Sequence, residues 1–354
     1  MTLRIGIVGT GFAKRVQLPG LRLVPGVEVT AISSGHRANA EAVARELAIP
    51  HVFDDGVELA AADVTDLVIV SSTPASHARY AIAALEAGHH LLCEKPLALD
   101  AAEARHIVAA AERRPGQVAW VDHELRYEPN RRRIRELVRE GAIGDVQHIE
   151  IALKPYIRGD GRPQAPDAPW TWWFDAAQGG GILGAVGSHL IDLCRFWTGR
   201  EVVQVDGRAH TFVRERVDAA GTARRATADE FASAVLTLAG GVVVTLTLSI
   251  VAQHGPGHFT QISGTDGTLV LTGETQLELG KRGEPLQDIS VPDDLSGKTA
   301  VNNMWARSFV RLMRDLVATI GGARPASEPA GVRDGWQIQR VLDAIRAGGS
   351  TPLD

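Results

Sequence analysis

Short runs of β-branched and other apolar residues alternate with longer segments of helical spacing through the first 121 residues. The apolar runs predict strands over 4–9, 27–32, 66–72, 89–94 and 117–121. Their near-continuous apolarity is typical of strands that are buried on both faces of a parallel sheet. Between them, segments rich in Ala, Leu, Glu and Arg predict crossover helices over 38–47, 75–86 and 101–113. The first third of the chain therefore predicts a doubly wound α/β domain.

The pattern changes after about residue 122. A helix predicted over 128–141 leads to a strand over 146–153 and then to a loop over 158–169 that contains Pro and Gly. From 202 to 279 strand-like runs dominate and are separated by turns such as Asp266-Gly267, which predicts a largely antiparallel sheet. Two helices, over 302–320 and 332–347, complete the pattern. We divide the chain into a first domain over 1–122 and a second over 123–354.

Length, charge and cysteine content restrict the classes of protein. At roughly 150 residues per domain, the 354 residues suggest two domains. Because 37 basic side chains stand against 42 acidic ones, no excess of positive charge is available to hold a nucleic acid, and we expect no nucleic-acid partner. The only cysteines, Cys93 and Cys194, each lie in an apolar stretch, so they build neither a disulfide framework nor a Cys-rich metal site. We expect no bound metal.

The N-terminal segment and the apolar stretches bear on location. The N-terminus lacks the basic and then apolar pattern of a signal peptide. The most apolar later stretch, 242–252, is shorter than the ~20 residues that span a bilayer. We expect a cytoplasmic protein with no membrane partner.

A glycine-rich turn follows the first predicted strand and opens a helix. Its backbone amides and the helix N-terminus can hold a pyrophosphate, so we assign it to dinucleotide binding. The alternative is an ordinary tight turn, because the third position of the glycine fingerprint is Lys14. The residues assigned to this turn are Gly9, Thr10, Gly11, Phe12 and Ala13.

The end of the second predicted strand carries no acidic residue. A carboxylate there would bind the ribose 2′-hydroxyl of NAD, whereas this chain has Ser33, Ser34 and Arg37. Hydroxyl and guanidinium donors suit a 2′-phosphate, so we expect NADP(H) to be preferred, with NAD(H) possible. The alternative is that Arg37 is a solvated residue at a helix start.

Two further clusters follow strands of the predicted parallel sheet. Ser72, Thr73, Pro74 and His77 lie at the carboxyl end of a central strand, where ligands of open α/β sheets bind. We place them in the cofactor site, with His77 as a capping or core residue rather than a catalyst. Glu94 and Lys95 precede Pro96 at the next strand end, which holds the lysine extended and directed outward. A salt-bridged surface lysine is the alternative.

In the second part, a glycine-rich run over 179–187 enters a helix that contains His189 and Asp192. Glycines allow another backbone or a ligand to approach closely. His189 and Asp192 are three residues apart and share a helix face, which makes His189 a candidate proton acceptor, although a single helical histidine is more often structural. Trp172 lies between the Pro-bearing loop and the glycine run, where it fits either an aromatic wall under a sugar ring or packing onto the sheet.

Four motifs occur in order over about the first 200 residues: strand-GxGxxx, TPxxxH, EKP and GGxxxxxxGxHxxD. In this order they resemble the family of glucose-fructose oxidoreductase, inositol dehydrogenase and MocA. The resemblance implies an N-terminal Rossmann domain and an α+β C-terminal domain with an open-faced, largely antiparallel sheet. It also implies a nicotinamide cofactor, a sugar, inositol or related cyclic polyol as substrate, and a homodimer or homotetramer formed through the exposed sheet face.

The resemblance also implies roles for particular residues. Lys95 matches the lysine that orients the reacting hydroxyl, and His189 matches the proton-transfer histidine. Arg126 and Tyr127 fall where the family often places a substrate-side Arg-aromatic pair. One position departs from the pattern, because the family often has Asp where this chain has Ala185. We expect a substrate pocket that differs accordingly.

These observations predict an NAD(P)-dependent dehydrogenase or reductase acting on CH-OH groups. The alternative is a catalytically inactive dinucleotide-binding regulator or scaffold of the same fold, since a fold does not imply turnover. A Rossmann methyltransferase is disfavoured because EKP and GxHxxD would then have no role. The arginine-rich run 131–135 is expected to form a solvated, ion-paired helix face with no assigned function.

Overall fold

The computed structural model describes residues 2–154, 168–297 and 303–353. By residue contacts the chain forms two compact units, Met1–Tyr127 with Leu295–Gln339, and Glu128–Asp294 with Arg340–Asp354. Residues 295–339 thus cluster with the first unit, whereas the sequence division places them in the second domain. The division at 122/123, as a boundary between independently folding domains, stays a prediction. Most of the loop predicted over 158–169 lies outside the described residues.

The first unit contains a six-stranded parallel sheet. Its strands are β1 Leu3–Val8, β2 Val27–Ser33, β3 His51–Phe53, β4 Leu67–Val70, β5 His90–Cys93 and β6 Ala119–Val121. The spatial order is β3-β2-β1-β4-β5-β6, with every pair parallel. The order reverses on either side of β1, which is the arrangement of a doubly wound dinucleotide-binding fold. The predicted Rossmann architecture is confirmed.

Helices connect these strands and begin or end at residues with a clear local cause. They are α1 Leu18–Leu21, α2 Arg37–Leu47, α3 Gly56–Ala61, α4 Pro74–Ala87 and α5 Ala101–Glu112. The carboxylates of Asp55 and Asp100 accept hydrogen bonds from the first free amides of α3 and α5, at 2.8 Å in both cases. Gly88 ends α4 in the left-handed region, with φ 98°. The sequence analysis did not predict β3 and α3, because both are short and only partly apolar.

The second unit contains a nine-stranded mixed sheet and a two-stranded hairpin. The large sheet is formed by β7 Val146–Lys154, β8 Val202–His210, β11 Phe231–Leu238, β12 Val243–Ser249, β13 Gly257–Gly264, β14 Gly267–Thr272, β15 Gln276–Lys281, β16 Gln287–Asp288 and β17 Gly349–Pro352. The hairpin pairs β9 Glu215–Val217 with β10 Ala223–Arg225. All neighbours in the large sheet are antiparallel except β7 and β12, which are parallel. The predicted, largely antiparallel sheet is confirmed.

One face of the large sheet is buried and the other is open. On β11, Leu236 is buried whereas its neighbour Val235 is 42% exposed. The same alternation on β12 leaves Val243 37% exposed beside buried Val244. Side chains alternate between the two faces of a strand, so the polar and exposed residues of the central strands share one face.

Two helices of the second unit, α6 Pro129–Arg139 and α7 Ser188–Thr198, pack against each other. Arg131 on α6 is fully buried, which corrects the expectation of a solvated arginine face at this position. Its guanidinium donates to Glu128 at 3.1 Å and to Glu274 at 2.9 Å, and Glu274 also lies 3.3 Å from His258. Burial acts to raise the pKa of Glu274, but the charges and hydrogen bonds of Arg131 and His258 together outweigh it and lower this pKa to about 2. The sequence could not show this, because Glu274 is 143 residues away.

Two helices complete the chain, α8 Met304–Ile320 and α9 Val332–Ala347. Phe309 and Val310 of α8 pack on Gly20 and belong to the apolar core of the first unit. No helix in the three described ranges is long and apolar enough to cross a membrane.

Candidate functional site

The glycine-rich turn of the first unit closely approaches the end of β4. Gly9 has φ +109°, and a Cβ there would lie 2.3 Å from the carbonyl oxygen of Ser71, so this position requires glycine. A Cβ on Gly11 would meet nothing within 4 Å, so its surface is open for a ligand to approach. The Lys14 side chain instead pairs with Glu46 on α2 at 2.8 Å. The turn has the shape that a pyrophosphate needs.

The helix that follows the turn is not a regular α-helix. Residues Ala13–Gln17 form a π-helical turn that continues into α1. Such turns occur often at functional sites because they insert one residue into the helix and redirect side chains. Here the buried side chain of Gln17 extends towards the end of β5, and its Nε2 donates to Glu94 at 2.9 Å.

The end of β2 lies beside the turn, as the sequence predicts for a ribose site. Thr10 Oγ1 lies 3.2 Å from Ser34 Oγ. Ser33 is buried, and its hydroxyl has no hydrogen-bond partner among the described residues. Arg37 is half-exposed and pairs with Glu41 at 2.8 Å and with Asp54. These carboxylates raise the pKa of Arg37, and a 2′-phosphate would compete with them.

His77 joins two loops at the same edge of the sheet. Its Nδ1 lies 2.9 Å from the carbonyl oxygen of Pro96 and its Nε2 lies 3.1 Å from that of Ser72. The side chain is fully buried, and burial lowers its pKa to about 4. His77 is therefore neutral at pH 7, and its single N–H donates to one of these two carbonyl oxygens. Its burial agrees with the expected core role. Thr73 precedes α4 and Pro74 is its first residue.

Lys95 lies two residues after the end of β5, at the same sheet edge as the glycine turn. Its ammonium lies 6.0 Å from the ring centre of Trp305, over the indole face. The preceding Glu94 is buried, and one of its carboxylate oxygens lies 3.3 Å from the backbone nitrogen of Lys95. The structure thus brings the glycine turn, the end of β2, the Ser72–Pro74 segment and Lys95 to one edge of the first sheet.

Two more acidic residues, which the sequence analysis did not single out, lie close to Glu94. Asp122 follows β6 and is fully buried, and its Oδ2 accepts from Gln17 Nε2 at 3.2 Å. Glu124 is buried in the next turn. Burial and then the charge of Glu94 raise the pKa of Glu124 to about 8, although Lys95 acts against them. The sequence feature that could have identified them is the presence of two acidic residues directly after a buried strand.

Arg126 and Tyr127 lie in the short 3-10 turn Glu124–Tyr127 and are buried within the first unit. Arg126 donates to the carbonyl oxygen of Glu328 at 3.1 Å, and the Tyr127 hydroxyl donates to Asp315 at 2.8 Å. Both contacts anchor the C-terminal segment of the unit. Substrate contact by this pair stays a prediction.

In the second unit, the glycine run packs tightly against two other segments. A Cβ on Gly180 would lie 2.2 Å from the carbonyl oxygen of Trp173, and one on Gly181, which has φ +106°, would lie 2.6 Å from the carboxylate of Asp229. The close approach that the glycines predicted is therefore to this chain's own backbone and to Asp229. Trp172, in the adjacent turn, is 43% exposed.

His189 is buried in the first turn of α7, together with Asp192. The carboxylate of Asp192 lies 4.0 Å from Arg195. A second π-helical turn, Leu183–Gly187, runs directly into α7. Asp229 accepts from the backbone amide of Leu183 at 2.7 Å and so holds the start of this turn.

Ala185 lies inside this π-helical turn and is partly exposed, whereas its neighbours are buried. We expected regular α-helical spacing to place it one turn from His189 on the same face. In a π-turn the hydrogen bonds join residues five apart, so the relation of these two positions differs from that of an α-helix. Within the described residues, no group of three or more potential metal ligands lies together.

Comparisons with known proteins show which family this chain resembles. Residues 3–123 match the model of the oxidoreductase family with an NAD-binding Rossmann fold, and residues 131–270 match the GFO/IDH/MocA C-terminal domain. An uncharacterized oxidoreductase of Synechocystis sp. is 28% identical over 97% of this chain and 93% of its own length.

Solved structures share the fold over nearly the whole chain. An oxidoreductase domain protein from Kribbella flavida has a TM-score of 0.84 at 29% identity, covering 98% of this chain and 96% of that one. Levoglucosan dehydrogenase in complex with NADH and L-sorbose has a TM-score of 0.85 at 20% identity, with 100% of each chain covered. A super-repressor mutant of Gal80p from Saccharomyces cerevisiae has a TM-score of 0.81 at 19% identity, covering 99% and 98%.

The two family matches together span most of the chain, and the first sheet has the glycine turn and strand order that an NAD-binding fold requires. The chain belongs to the GFO/IDH/MocA family of NAD-binding oxidoreductases.

Proposed function

We propose that this protein is an NAD(P)-dependent dehydrogenase or reductase that acts on a CH-OH group of a sugar, inositol or related cyclic polyol. The observation that carries the proposal is the hydrogen bond of 2.9 Å from Gln17 to Glu94. It joins the helix after the glycine turn to the residue that precedes Lys95. A dinucleotide-binding turn and a lysine that can contact substrate are thereby held together within one unit.

The residues of the first unit would hold the cofactor through backbone amides at Gly9–Ala13 and through polar groups at the ends of β2 and β4. The open surface at Gly11 fits this use. When bound, the nicotinamide supplies hydride exchange with the substrate carbon. The protein's contribution is then to position the substrate and to move one proton.

In the direction of oxidation, Lys95 donates a hydrogen bond to the reacting hydroxyl oxygen and stabilises the negative charge that develops there. The imidazole of His189 accepts the hydroxyl proton. Reduction uses the same groups in reverse.

The test is a cofactor titration followed by a turnover screen. Nicotinamide absorbance is followed during incubation with inositols, aldoses, ketosugars, anhydrosugars and sugar nucleotides, in both directions. Saturable cofactor binding with turnover of at least one class supports the proposal. Absence of dinucleotide binding would reject both this function and the next candidate.

A second candidate is a dinucleotide-binding regulator without turnover. It is favoured by the similarity in fold to the Gal80p super-repressor mutant and by Ala185, where the family often has Asp. Saturable cofactor binding with no turnover across the whole panel would support this candidate over the dehydrogenase.

We propose further that NADP(H) is preferred over NAD(H). The support is the absence of an acidic residue at the end of β2 and the hydroxyl groups of Ser33 and Ser34. Arg37→Ala should weaken NADP(H) binding by ~1.5–3 kcal/mol and leave NAD(H) nearly unchanged. Asp54→Asn should strengthen NADP(H) binding, because it removes a carboxylate that competes for Arg37.

Arg45→Ala, on the same helix and exposed, is the matched control and should change neither affinity. Equal affinity of the unaltered protein for both cofactors would contradict the preference.

Assembly and location belong to the same proposal. We propose a cytoplasmic homodimer or homotetramer formed through the open face of the nine-stranded sheet, with a small-molecule substrate and with no nucleic-acid or membrane partner. The exposed Val235 and Val243 on that face support an apolar contact between copies.

A further inference from the structure

Two buried carboxyl groups meet at a single amide in the first unit. Gln17 Nε2 donates to Glu94 Oε1 at 2.9 Å and to Asp122 Oδ2 at 3.2 Å. All three side chains are buried, with exposures of 0% for Gln17, 6% for Glu94 and 0% for Asp122. The two residues also follow paired strands directly, since Cys93 of β5 lies opposite Val121 of β6 and the backbone amide of Asp122 donates to the carbonyl oxygen of Cys93 at 2.7 Å.

Two adjacent carboxylates do not both ionise in a buried site, because each charge raises the cost of the other. The groups around the pair decide which one stays charged. Glu94 faces the ammonium of Lys95, and its Oε2 lies 3.3 Å from the backbone nitrogen of Lys95. Asp122 faces two acidic side chains, Glu94 and Glu124, and its Oδ1 meets no hydrogen-bond partner in the described residues.

Each element packed against the pair contributes identified groups. The strand β5 contributes the Cys93 thiol and leads to Glu94, the following loop contributes Lys95, and the turn after β6 contributes Glu124. The π-helical turn contributes Gln17, which is uncharged and whose Oε1 also has no partner among the described residues. Among these groups the positively charged one is Lys95, which is adjacent in sequence to Glu94 and not to Asp122.

We propose that Asp122 carries a proton at neutral pH and donates it to Glu94, so that Glu94 is the charged member of the pair. Asp122 is then a positioning residue for Glu94, the residue that precedes Lys95. The inference rests on the proposed function only in giving Lys95 its role at the reacting oxygen.

The directions of the pKa shifts agree with this assignment. Burial and then the charges of Glu124 and Glu94 raise the pKa of Asp122 well above its usual value. The pKa of Glu94 is also raised by burial, but Lys95 and the hydrogen bond from Asp122 oppose this rise, whereas the nearby acidic charges add to the rise at Asp122.

Infrared spectroscopy locates the proton without any turnover. The unaltered protein at pH 7 should show the carbonyl stretch of protonated carboxyl groups, with the usual shift in D₂O. Asp122→Asn should lose one such component, whereas Glu94→Gln should retain it; Glu124→Gln identifies the separate contribution of Glu124. Asparagine keeps a donor towards Glu94, so Asp122→Asn is the conservative variant.

A spectrum in which Asp122→Asn retains every protonated component would overturn the proposal. The comparison of the unaltered protein with Asp122→Asn decides this even if Glu94→Gln does not fold.

The infrared measurement uses the protein alone, so it holds whether or not a substrate is found. A protein that shows the expected spectra but no turnover would reject the proposed function and leave this inference in place.

Discussion

Lys95 and His189 are the residues on which the proposed chemistry depends most directly. Lys95→Ala and His189→Ala should each lower kcat by ~10²–10⁴-fold, the range for general acid-base groups, with a much smaller change in cofactor Kd. Steady-state kinetics on a substrate from the screen, together with cofactor titration, measures both quantities. Lys281→Ala, at an exposed position on β15, is the control and should keep normal kcat. Near-normal kcat in either active-site variant would show that its assigned role is wrong.

His77 should make the free energy of unfolding depend on pH. Burial lowers its folded pKa to about 4, against an unfolded value of about 6.5. Between these values the folded state therefore binds fewer protons than the unfolded state. The stabilisation that the neutral, buried His77 contributes is complete above pH 6.5 and is lost as the pH falls to about 4. By linkage the loss is about 3 kcal/mol.

Urea unfolding between pH 4 and pH 7 measures the contribution of His77. His77→Gln should flatten the dependence, whereas His51→Gln, at an exposed position on β3, should leave it as it is. An equally steep dependence in His77→Gln would mean that another group is responsible.

At the scale of elements, both units contain the same local feature. A glycine-rich segment leads into a π-helical turn, Ala13–Gln17 in the first unit and Leu183–Gly187 in the second. Each turn precedes a regular helix, and each redirects the side chains that follow. In the first unit the consequence is visible, because Gln17 reaches Glu94 and Asp122.

Asp229 should stabilise the start of the helix that carries His189. Its carboxylate accepts from Leu183 at 2.7 Å and lies 3.5 Å from Arg346. Asp229→Ala removes the acceptor for a free helix amide and should cost ~0.5–2 kcal/mol of stability. It should also lower kcat more than it changes cofactor Kd. Asp229→Asn should recover most of the loss, because it keeps the acceptor.

Asp175→Ala is the matched control for this prediction. Asp175 accepts from Ala177 at 3.0 Å at the start of a short 3-10 turn that does not carry His189. Asp175→Ala should therefore change kcat little. Equal effects of the two alanine variants on kcat would mean that Asp229 does not position His189.

At the scale of the whole molecule, the open sheet face provides a test of assembly. Val235→Glu places a charge on this face and should shift the protein towards monomer, because a charge at an apolar contact must be desolvated. Sedimentation velocity measures the change. Val217→Glu, on the separate β9–β10 hairpin and 54% exposed, is the control and should leave assembly unchanged. An unaltered oligomer in Val235→Glu would place the contact elsewhere.

The sequence alone was sufficient for elements whose signals are local. Buried strands such as β4 and β5 are continuous apolar runs, and α5 begins at its aspartate cap, so their predicted limits agree with the structure within one or two residues. The glycine turn, EKP and the helix of His189 were predicted for the same reason, since each is a short motif beside a strand or a helix start.

Tertiary structure decided the features that depend on residues far apart in the chain. Arg131 belonged to a run expected to be solvated, yet partners more than 100 residues away bury it. Residues 295–339 join the first unit because the apolar face of α8 packs on a core that begins at residue 5. Asp122 is an ordinary acidic residue in the sequence, and the pairing of β5 with β6, with Cys93 opposite Val121, brings it beside Glu94. Periodicity and local motifs record the conformation of a segment, whereas burial, ion pairing and the position of a proton depend on which segments the fold brings together.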